Sequence, residues 1–157
     1  MEKIFDDTFV SKVVRRKIRK NIVQASFDLD WLSFDVKVNF AFNRLNEIPY
    51  TKVRILISFW EKFENIQSFL QSSNCKNWKL LREHKFGKKK PGQLEIYFEN
   101  CIDEKFILSM IKKHYGYELG KPESLSLELV FVFQNMDDIT ICHLYDDRGF
   151  NFFYANP

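Results

Sequence analysis

The sequence has little glycine and proline, with five and four residues in a chain of 157. This scarcity, with a 45% share of hydrophobic residues, excludes a disordered or low-complexity chain. The glycines are too dispersed for a nucleotide-binding loop. No apolar run reaches the roughly 18 residues of a membrane span, and the amino terminus lacks the layout of a secretory signal. We expect one domain over residues 1–157, in the cytoplasm, without a membrane span.

Cysteine and histidine are also scarce, with three of each. Cys75, Cys101 and Cys142 are widely spaced, which favours free thiols over a disulfide framework or a zinc site. Cys142 and His143 are adjacent, but neighbouring side chains on a strand point to opposite faces, so they would not meet as a catalytic pair. We expect no catalytic residue, no metal and no cofactor.

The net charge of +3 is unevenly distributed. Six basic residues fall between positions 12 and 20, and subtracting them from +3 leaves −3 for the remainder. Residues 8–24 have the spacing of an amphipathic helix, with valines and isoleucines on one half and a basic arc on the other. The arc consists of Lys12, Arg15, Arg16, Arg19 and Lys20.

Two segments in the first half of the chain have clear periodicity. Residues 31–43 alternate between apolar and polar side chains, which predicts a strand with one buried face. Residues 49–64 alternate in part as a strand would, but they also carry a helical stripe, and Pro49 suits a first helical turn. We predict a helix over 49–64, followed by a short strand or a helix tail over 65–72.

The second half contains more elements. Residues 77–86 and 93–99 predict two strands, joined by a Gly/Pro-rich hairpin loop. Residues 103–115 predict a helix, capped by Asp103 and followed by Gly116. Residues 125–134 are apolar on both faces, which is typical of a central strand, and turns at 135–138 and 146–149 lead into two further strands.

These elements predict an α+β domain, with a mainly antiparallel, twisted sheet of five to seven strands and two or three helices packed on it. The helices over 8–24 and 103–115 are expected to cover one face of that sheet. The chain carries 17 Phe, 6 Tyr and 3 Trp, most of which are expected in the core and a few at a partner surface.

The string Tyr145-Asp-Asp-Arg-Gly149 is the most distinctive in the sequence. Asp-Asp-Arg-Gly is suitable turn chemistry, and that is one interpretation. The other is a contact site for a protein partner, made by Tyr145, Asp146, Asp147 and Arg148. Both interpretations stay open from the sequence.

The basic arc offers a second kind of partner. Arg15, Arg16, Arg19 and Lys20 could contact a phosphate backbone, assisted by Lys88, Lys89 and Lys90. A solvated helix face is the simpler interpretation, because the remainder of the chain is acidic.

The C-terminal third resembles a bacterial family of uncharacterised domains, whose members carry an apolar strand, a turn, another strand and then Tyr-Asp-Asp-Arg-Gly. The matching stretch is LELVFVFQNMDDITICHLYDDRG, residues 127–149, with a weaker echo over residues 37–66. The resemblance implies a fold and brings no activity with it.

The sequence therefore predicts a non-enzymatic protein-binding module, such as a bacterial immunity or inhibitor protein that occludes a partner. Nucleic-acid binding is the alternative, and oligomeric state is left open.

Overall fold

The computed structural model describes residues 25–85, 87–146 and 149–155, which form seven strands and three helices. The strands are β1 (Ala25–Asp28), β2 (Lys52–Phe59), β3 (Trp78–Arg82), β4 (Gly92–Glu99), β5 (Leu127–Asn135), β6 (Asp138–Asp146) and β7 (Gly149–Ala155). The helices are α1 (Phe34–Asn46), α2 (Phe63–Ser72) and α3 (Glu104–Glu118). The helix predicted over 8–24 lies outside the described residues.

All seven strands belong to one sheet, in the order β1-β7-β6-β5-β2-β4-β3, and every pairing is antiparallel. The predicted α+β class, with helices packed on an antiparallel sheet, is confirmed. The strands predicted over 77–86 and 93–99 are present as β3 and β4, although β3 ends early, next to an irregularity between Leu80 and Arg82.

The strand predicted over 31–43 is wrong, because residues 34–46 form helix α1. The even-numbered apolar residues alternate as in a strand, but the fully buried side chains are Lys37, Val38, Ala41 and Leu45. Those positions share one face of a helix. Burial of that face decides the conformation over the local β propensity of Val and Phe.

The helix predicted over 49–64 is also wrong. Residues 52–59 form β2, whose side chains alternate strictly between buried and half-buried. Pro49 precedes the strand in a loop and does not begin a helix. β2 lies between β4 and β5, and so its backbone groups are paired on both sides. Of the two options left open for residues 65–72, the helix is observed, as part of α2.

The helix predicted over 103–115 is confirmed and continues to Glu118. The Asp103 carboxylate caps it, accepting hydrogen bonds from the backbone N–H groups of Lys105 and Phe106 at 3.1 and 3.2 Å. Gly116 is inside the helix, contrary to prediction. Its missing β-carbon leaves room for the Ser124 hydroxyl of the following loop.

The main core lies between the helices and one face of the sheet. On β2 it contains Val53, Ile55, Ile57 and Phe59, all at most 2% exposed. Aromatic contacts connect the helices to each other and to the sheet. Phe69 of α2 stacks on Phe106 of α3 at 5.4 Å between ring centroids, and Phe40 of α1 lies 6.1 Å from Phe150 of β7. All three helices therefore cover the same face.

Candidate functional site

Several loops meet at one end of the sheet. β2 ends beside the starts of β4 and β5, because Phe59 pairs with both Gly92 and Leu127. The β6–β7 connection lies at the same end, since Leu144 near the end of β6 pairs with Leu129 near the start of β5. These pairings place the loop of residues 87–91 and the described residues of 145–149, both singled out from the sequence, at the same end of the sheet.

The start of α1 and the end of α3 lie at the same end of the sheet. β1 ends there at Asp28, which pairs with Gly149, and the chain then enters α1. After α3, the Lys121 ammonium lies 5.1 Å from the ring centroid of Phe34, the first residue of α1. We call this end the hairpin end and define it as the described residues of 29–36, 60–62, 81–91, 117–126 and 145–149.

Exposed apolar side chains are concentrated at the hairpin end. Of the seven large apolar side chains that are strongly exposed among the described residues, six lie there, and Trp31 is 79% exposed. We call these six the apolar set: Trp31, Val36, Trp60, Leu81, Tyr117 and Leu119. The seventh, Met136, occupies the β5–β6 turn at the opposite end. A concentration of exposed apolar side chains in one region is typical of a binding surface.

The loop of residues 87–91, which we call the lysine loop, is held by side chains from outside it. Three consecutive carbonyl oxygens, those of Lys89, Lys90 and Pro91, each contact a side-chain nitrogen. Trp60 Nε1 lies 3.1 Å from the first, His84 Nδ1 3.0 Å from the second and Arg82 Nε 2.9 Å from the third. Since a carbonyl oxygen only accepts, His84 donates in this contact through its Nδ1–H.

These contacts fix the backbone while the lysines remain in water. Lys88, Lys89 and Lys90 are all exposed, as is Lys85, whose carbonyl accepts a hydrogen bond from the Lys88 backbone N–H at 3.0 Å. Of the nucleic-acid set predicted from the sequence, only Lys88, Lys89 and Lys90 are described. Arg15, Arg16, Arg19 and Lys20 lie outside the described residues.

Acidic side chains adjoin the lysine loop. Glu61, Glu64 and Glu83 line a concavity of about 640 Å³ that also reaches Gly87 of the loop. The Glu61 carboxylate additionally accepts a hydrogen bond from the backbone N–H of Ser126 at 2.9 Å. Both signs of charge are therefore present within one surface region.

The predicted partner residues of the β6–β7 hairpin are only partly described. The Tyr145 ring is half-buried, with its centroid 5.6 Å from that of His143. Asp146 pairs with Gly149 through the backbone, while Asp147 and Arg148 lie outside the described residues. Position 149 requires glycine for a structural reason, because a β-carbon there would overlap the carbonyl oxygen of Phe27 on β1.

The face of the sheet opposite the helices carries one Arg–Glu ion pair and one His–Glu contact. His143 Nε2 lies 3.2 Å from a carboxylate oxygen of Glu128, and Arg54 Nε lies 3.0 Å from one of Glu95. Glu95, Leu56, Val130 and His143 follow one another across four adjacent strands. At about 4.8 Å per strand, His143 and Glu95 are about 14 Å apart, so the two pairs do not share one site.

The neighbours Cys142 and His143 point to opposite faces, as predicted. Cys142 is opposite Phe131 in the main core, whereas His143 is opposite Val130 on the other face. Burial raises the pKa of the Cys142 thiol well above its ordinary value, which disfavours the nucleophilic thiolate. The other histidines are held by carbonyl contacts elsewhere, His84 at the lysine loop and His114 at Leu127 of β5.

A concavity of about 540 Å³ opens at the end of the sheet opposite the hairpin end. Its walls include Phe27, Phe133 and Ile48. The Arg44 guanidinium also lines it, 4.9 Å from the Phe27 ring centroid and 3.1 Å from the Glu47 carboxylate. Because the guanidinium is already paired with Glu47, this pocket combines apolar walls with a cation whose charge is balanced.

The sequence did not identify Trp31, Trp60 or Tyr117 as surface residues. Trp60 was assigned to a buried helical stripe, and Trp31 to the start of a strand. Trp31 and Trp60 lie between elements, which is the signal that could have revealed them, because an aromatic residue in a connection has no regular face to bury. Tyr117 lies in the last turn of α3, beyond the helix end at residue 115 that the sequence predicted.

Within the described residues, no three His, Cys, Asp or Glu side chains are grouped so that they could hold a metal ion. None of the three described helices combines the length and apolarity that crossing a bilayer requires. No protein-family model, no curated protein and no solved structure matches the chain. The resemblance of residues 127–149 to a bacterial family therefore stays a prediction.

Proposed function

We propose that the protein is a binding module without catalytic activity of its own, which recognises another protein through its hairpin end. Its role would be that of an inhibitor or a bacterial immunity protein, which blocks a partner by covering part of the partner's surface. The observation that carries this proposal is the placement of six of the seven strongly exposed apolar side chains at one end of the sheet.

The residue types of the apolar set support a protein partner. Tryptophan and tyrosine are over-represented among the side chains that dominate protein–protein binding energies. Trp31, Trp60 and Tyr117 are 79%, 40% and 47% exposed, so each has apolar surface to bury in a complex. Burial of such surface contributes roughly 25 cal/mol per Å² before the costs of association are counted.

The polar surroundings of the apolar set match the usual anatomy of an interface, in which charged residues form the rim. Lys121 adjoins the start of α1, and the lysine loop adjoins Trp60. The described part of the β6–β7 hairpin, which is Tyr145, Asp146 and Gly149, belongs to the same end of the sheet, and the predicted contact residues Asp147 and Arg148 lie outside the described residues. We propose that this hairpin completes the rim.

The cysteines bear on where in the cell the protein acts. Cys75, Cys101 and Cys142 are all unpaired. Unpaired thiols are typical of a reducing compartment, and we propose that the partner is encountered in the cytoplasm.

The test compares a variant of the apolar set with a matched control. Trp31→Ser combined with Tyr117→Ser removes two aromatic anchors, whereas Met136→Ser removes a side chain about as exposed as Trp31 at the opposite end. Tagged protein is recovered from native lysate, and the stoichiometric protein that accompanies it is quantified. We expect the double variant to lose that protein and the Met136 variant to retain it.

Two outcomes would contradict the proposal. One is that the wild-type protein recovers no stoichiometric partner. The other is that the double variant, shown to be folded by circular dichroism, recovers the same partner in the same amount as the Met136 control.

A further inference from the structure

We propose that the lysine loop is the electrostatic anchor of the hairpin end and binds an acidic segment of the protein partner. This inference rests on the proposed function and specifies the chemistry of the partner. It concerns Lys88, Lys89 and Lys90, together with Lys85 beside them.

The first argument is the preorganisation of the loop. A lysine-rich turn that serves only for solubility does not need a fixed backbone. Here Trp60, His84 and Arg82 hold three consecutive carbonyl oxygens, and these three side chains come from outside the loop. A fixed backbone lowers the ordering cost of binding, so the exposed ammonium groups are presented in a limited set of positions.

The second argument is the distribution of charge, which distinguishes a protein from a nucleic acid. Glu61, Glu64 and Glu83 border the concavity that reaches the loop at Gly87, and with Lys62 also in its walls the acidic side chains are still in excess there. A phosphate backbone carries regular negative charge along its whole length and would be repelled there. An acidic segment on a protein surface can end where these glutamates begin, and positive groups of the same protein can pair with them.

The third argument is the position of Trp60. Its indole N–H is used internally, at the carbonyl oxygen of Lys89, so the exposed part of the ring is aromatic carbon. An apolar anchor thus adjoins the cationic loop. The binding segment is expected to combine carboxylates with an aromatic or aliphatic side chain, since the two kinds of surface are contiguous.

The experiment uses the full chain and three fluorescent probes of similar length. The first is a synthetic decapeptide of Glu and Asp residues with a central Phe, the second is a Lys-rich version of that peptide, and the third is a decamer of deoxythymidine. Binding is measured by fluorescence anisotropy at low and at physiological salt. The wild-type protein is expected to bind the acidic peptide in preference to both other probes, with an affinity that falls as salt rises.

The variant is Lys88→Glu, Lys89→Glu and Lys90→Glu together. The charge-matched control is Lys76→Glu, Lys105→Glu and Lys112→Glu, three exposed lysines outside the hairpin end. The loop variant is expected to lose at least about tenfold in affinity for the acidic peptide, and the control less than about threefold. All six positions are exposed, so both variants are expected to fold, which circular dichroism checks.

Equal losses in the two triple variants would overturn the inference, because net charge alone would explain the binding. Tighter binding of the oligonucleotide than of the acidic peptide would also overturn it and would identify a phosphate-binding surface. The absence of acidic-peptide binding by the wild-type protein would count against the inference in the same way.

The lysate recovery separates this inference from the proposed function. If the loop variant still recovers the stoichiometric partner while the Trp31/Tyr117 variant does not, the protein-binding function stands and the acidic-anchor inference fails. If neither variant differs from the wild-type protein, the hairpin end is not the interface.

Discussion

The carbonyl oxygen of Phe27 occupies the space that a β-carbon of residue 149 would need. β1 and β7 pair at this point, with Asp28 opposite Gly149. The glycine of the Tyr-Asp-Asp-Arg-Gly string therefore permits the edge strand β1 to approach the hairpin closely. Glycine is therefore required at position 149 for steric reasons, independently of any contact that residues 146–148 make with a partner.

Gly149→Ala is expected to lower the free energy of unfolding by about 2–4 kcal/mol, because backbone must move to relieve the overlap. Gly120→Ala is the control, since its φ of +65° is costly for alanine but its surroundings are open. That control is expected to cost about 1 kcal/mol. Urea denaturation of both variants measures the difference, and equal effects would contradict the steric explanation.

A second prediction concerns the contribution of the Arg54–Glu95 pair to the free energy of unfolding. Only 13% and 9% of these side chains are exposed, so removing one partner leaves a largely desolvated charge. Glu95→Ala is expected to cost about 3 kcal/mol or more. Glu47→Ala breaks the exposed Arg44–Glu47 pair and is expected to cost less than about 1 kcal/mol. Comparable losses in the two variants would show that burial does not set the cost.

The helix caps provide a third, internally controlled prediction. Asp103 accepts hydrogen bonds from two backbone N–H groups of α3, whereas Ser33, at the equivalent position of α1, makes no side-chain capping bond. Asp103→Ala is expected to cost about 1 kcal/mol and Asp103→Asn considerably less. Ser33→Ala should change stability by less than about 0.5 kcal/mol. Thermal unfolding distinguishes these values, and a larger loss at Ser33 would refute the capping assignment.

Thiol reactivity makes a fourth prediction. Cys101 is exposed, Cys75 is half-buried and Cys142 is fully buried. Desolvation raises the pKa of Cys75, with a smaller contribution from the Asp103 carboxylate, and raises that of Cys142 further. An aromatic disulfide reagent at pH 8 is expected to modify Cys101 first and Cys75 more slowly. Cys142 should react only after denaturant is added, and Cys101→Ser should abolish the fast phase.

Cys142 also gives a direction for the dependence of stability on pH. Its folded-state pKa is above the ordinary thiol value of 9.0, so the folded state favours the protonated thiol. The resulting stability is complete below pH 9.0 and is lost as pH rises above that value. Cys142→Ala should be less stable at neutral pH, because it leaves a small cavity, and should lose less stability between pH 9 and pH 11. The opposite pH trend would contradict the assignment.

The sequence predicted the second half of the fold well, because its segments have one period each. Residues 127–135 are too densely apolar for an exposed element. After Asp103, the apolar residues recur at a spacing that places them on one face only in a helix. The predictions for residues 34–46 and 52–59 were wrong for a common reason. Each carries two periodicities at once, and the choice depends on neighbours that are distant in sequence. Phe34 to Phe42 alternate as a strand, yet the side chains buried there, such as Val38, Ala41 and Leu45, share one face of a helix.

The site was less predictable than the fold. Lys88, Lys89 and Lys90 were recognised as basic, but the contacts that fix their loop come from Trp60, His84 and Arg82, and no local pattern connects these positions. Trp31 and Tyr117 are separated by most of the chain and belong to one surface only because α1 begins where α3 ends. Sheet topology, which periodicity does not reveal, brings these side chains to the same end.

The position of β2 in the sheet has a consequence for how the protein forms. Ile55 pairs on one side with Ile96 and on the other with Phe131, which the chain reaches only after two further helices and two further strands. During synthesis, β2 therefore keeps one unpaired edge until the last third of the chain has left the ribosome. Such distant pairings slow folding and expose apolar strand edges to association between nascent chains.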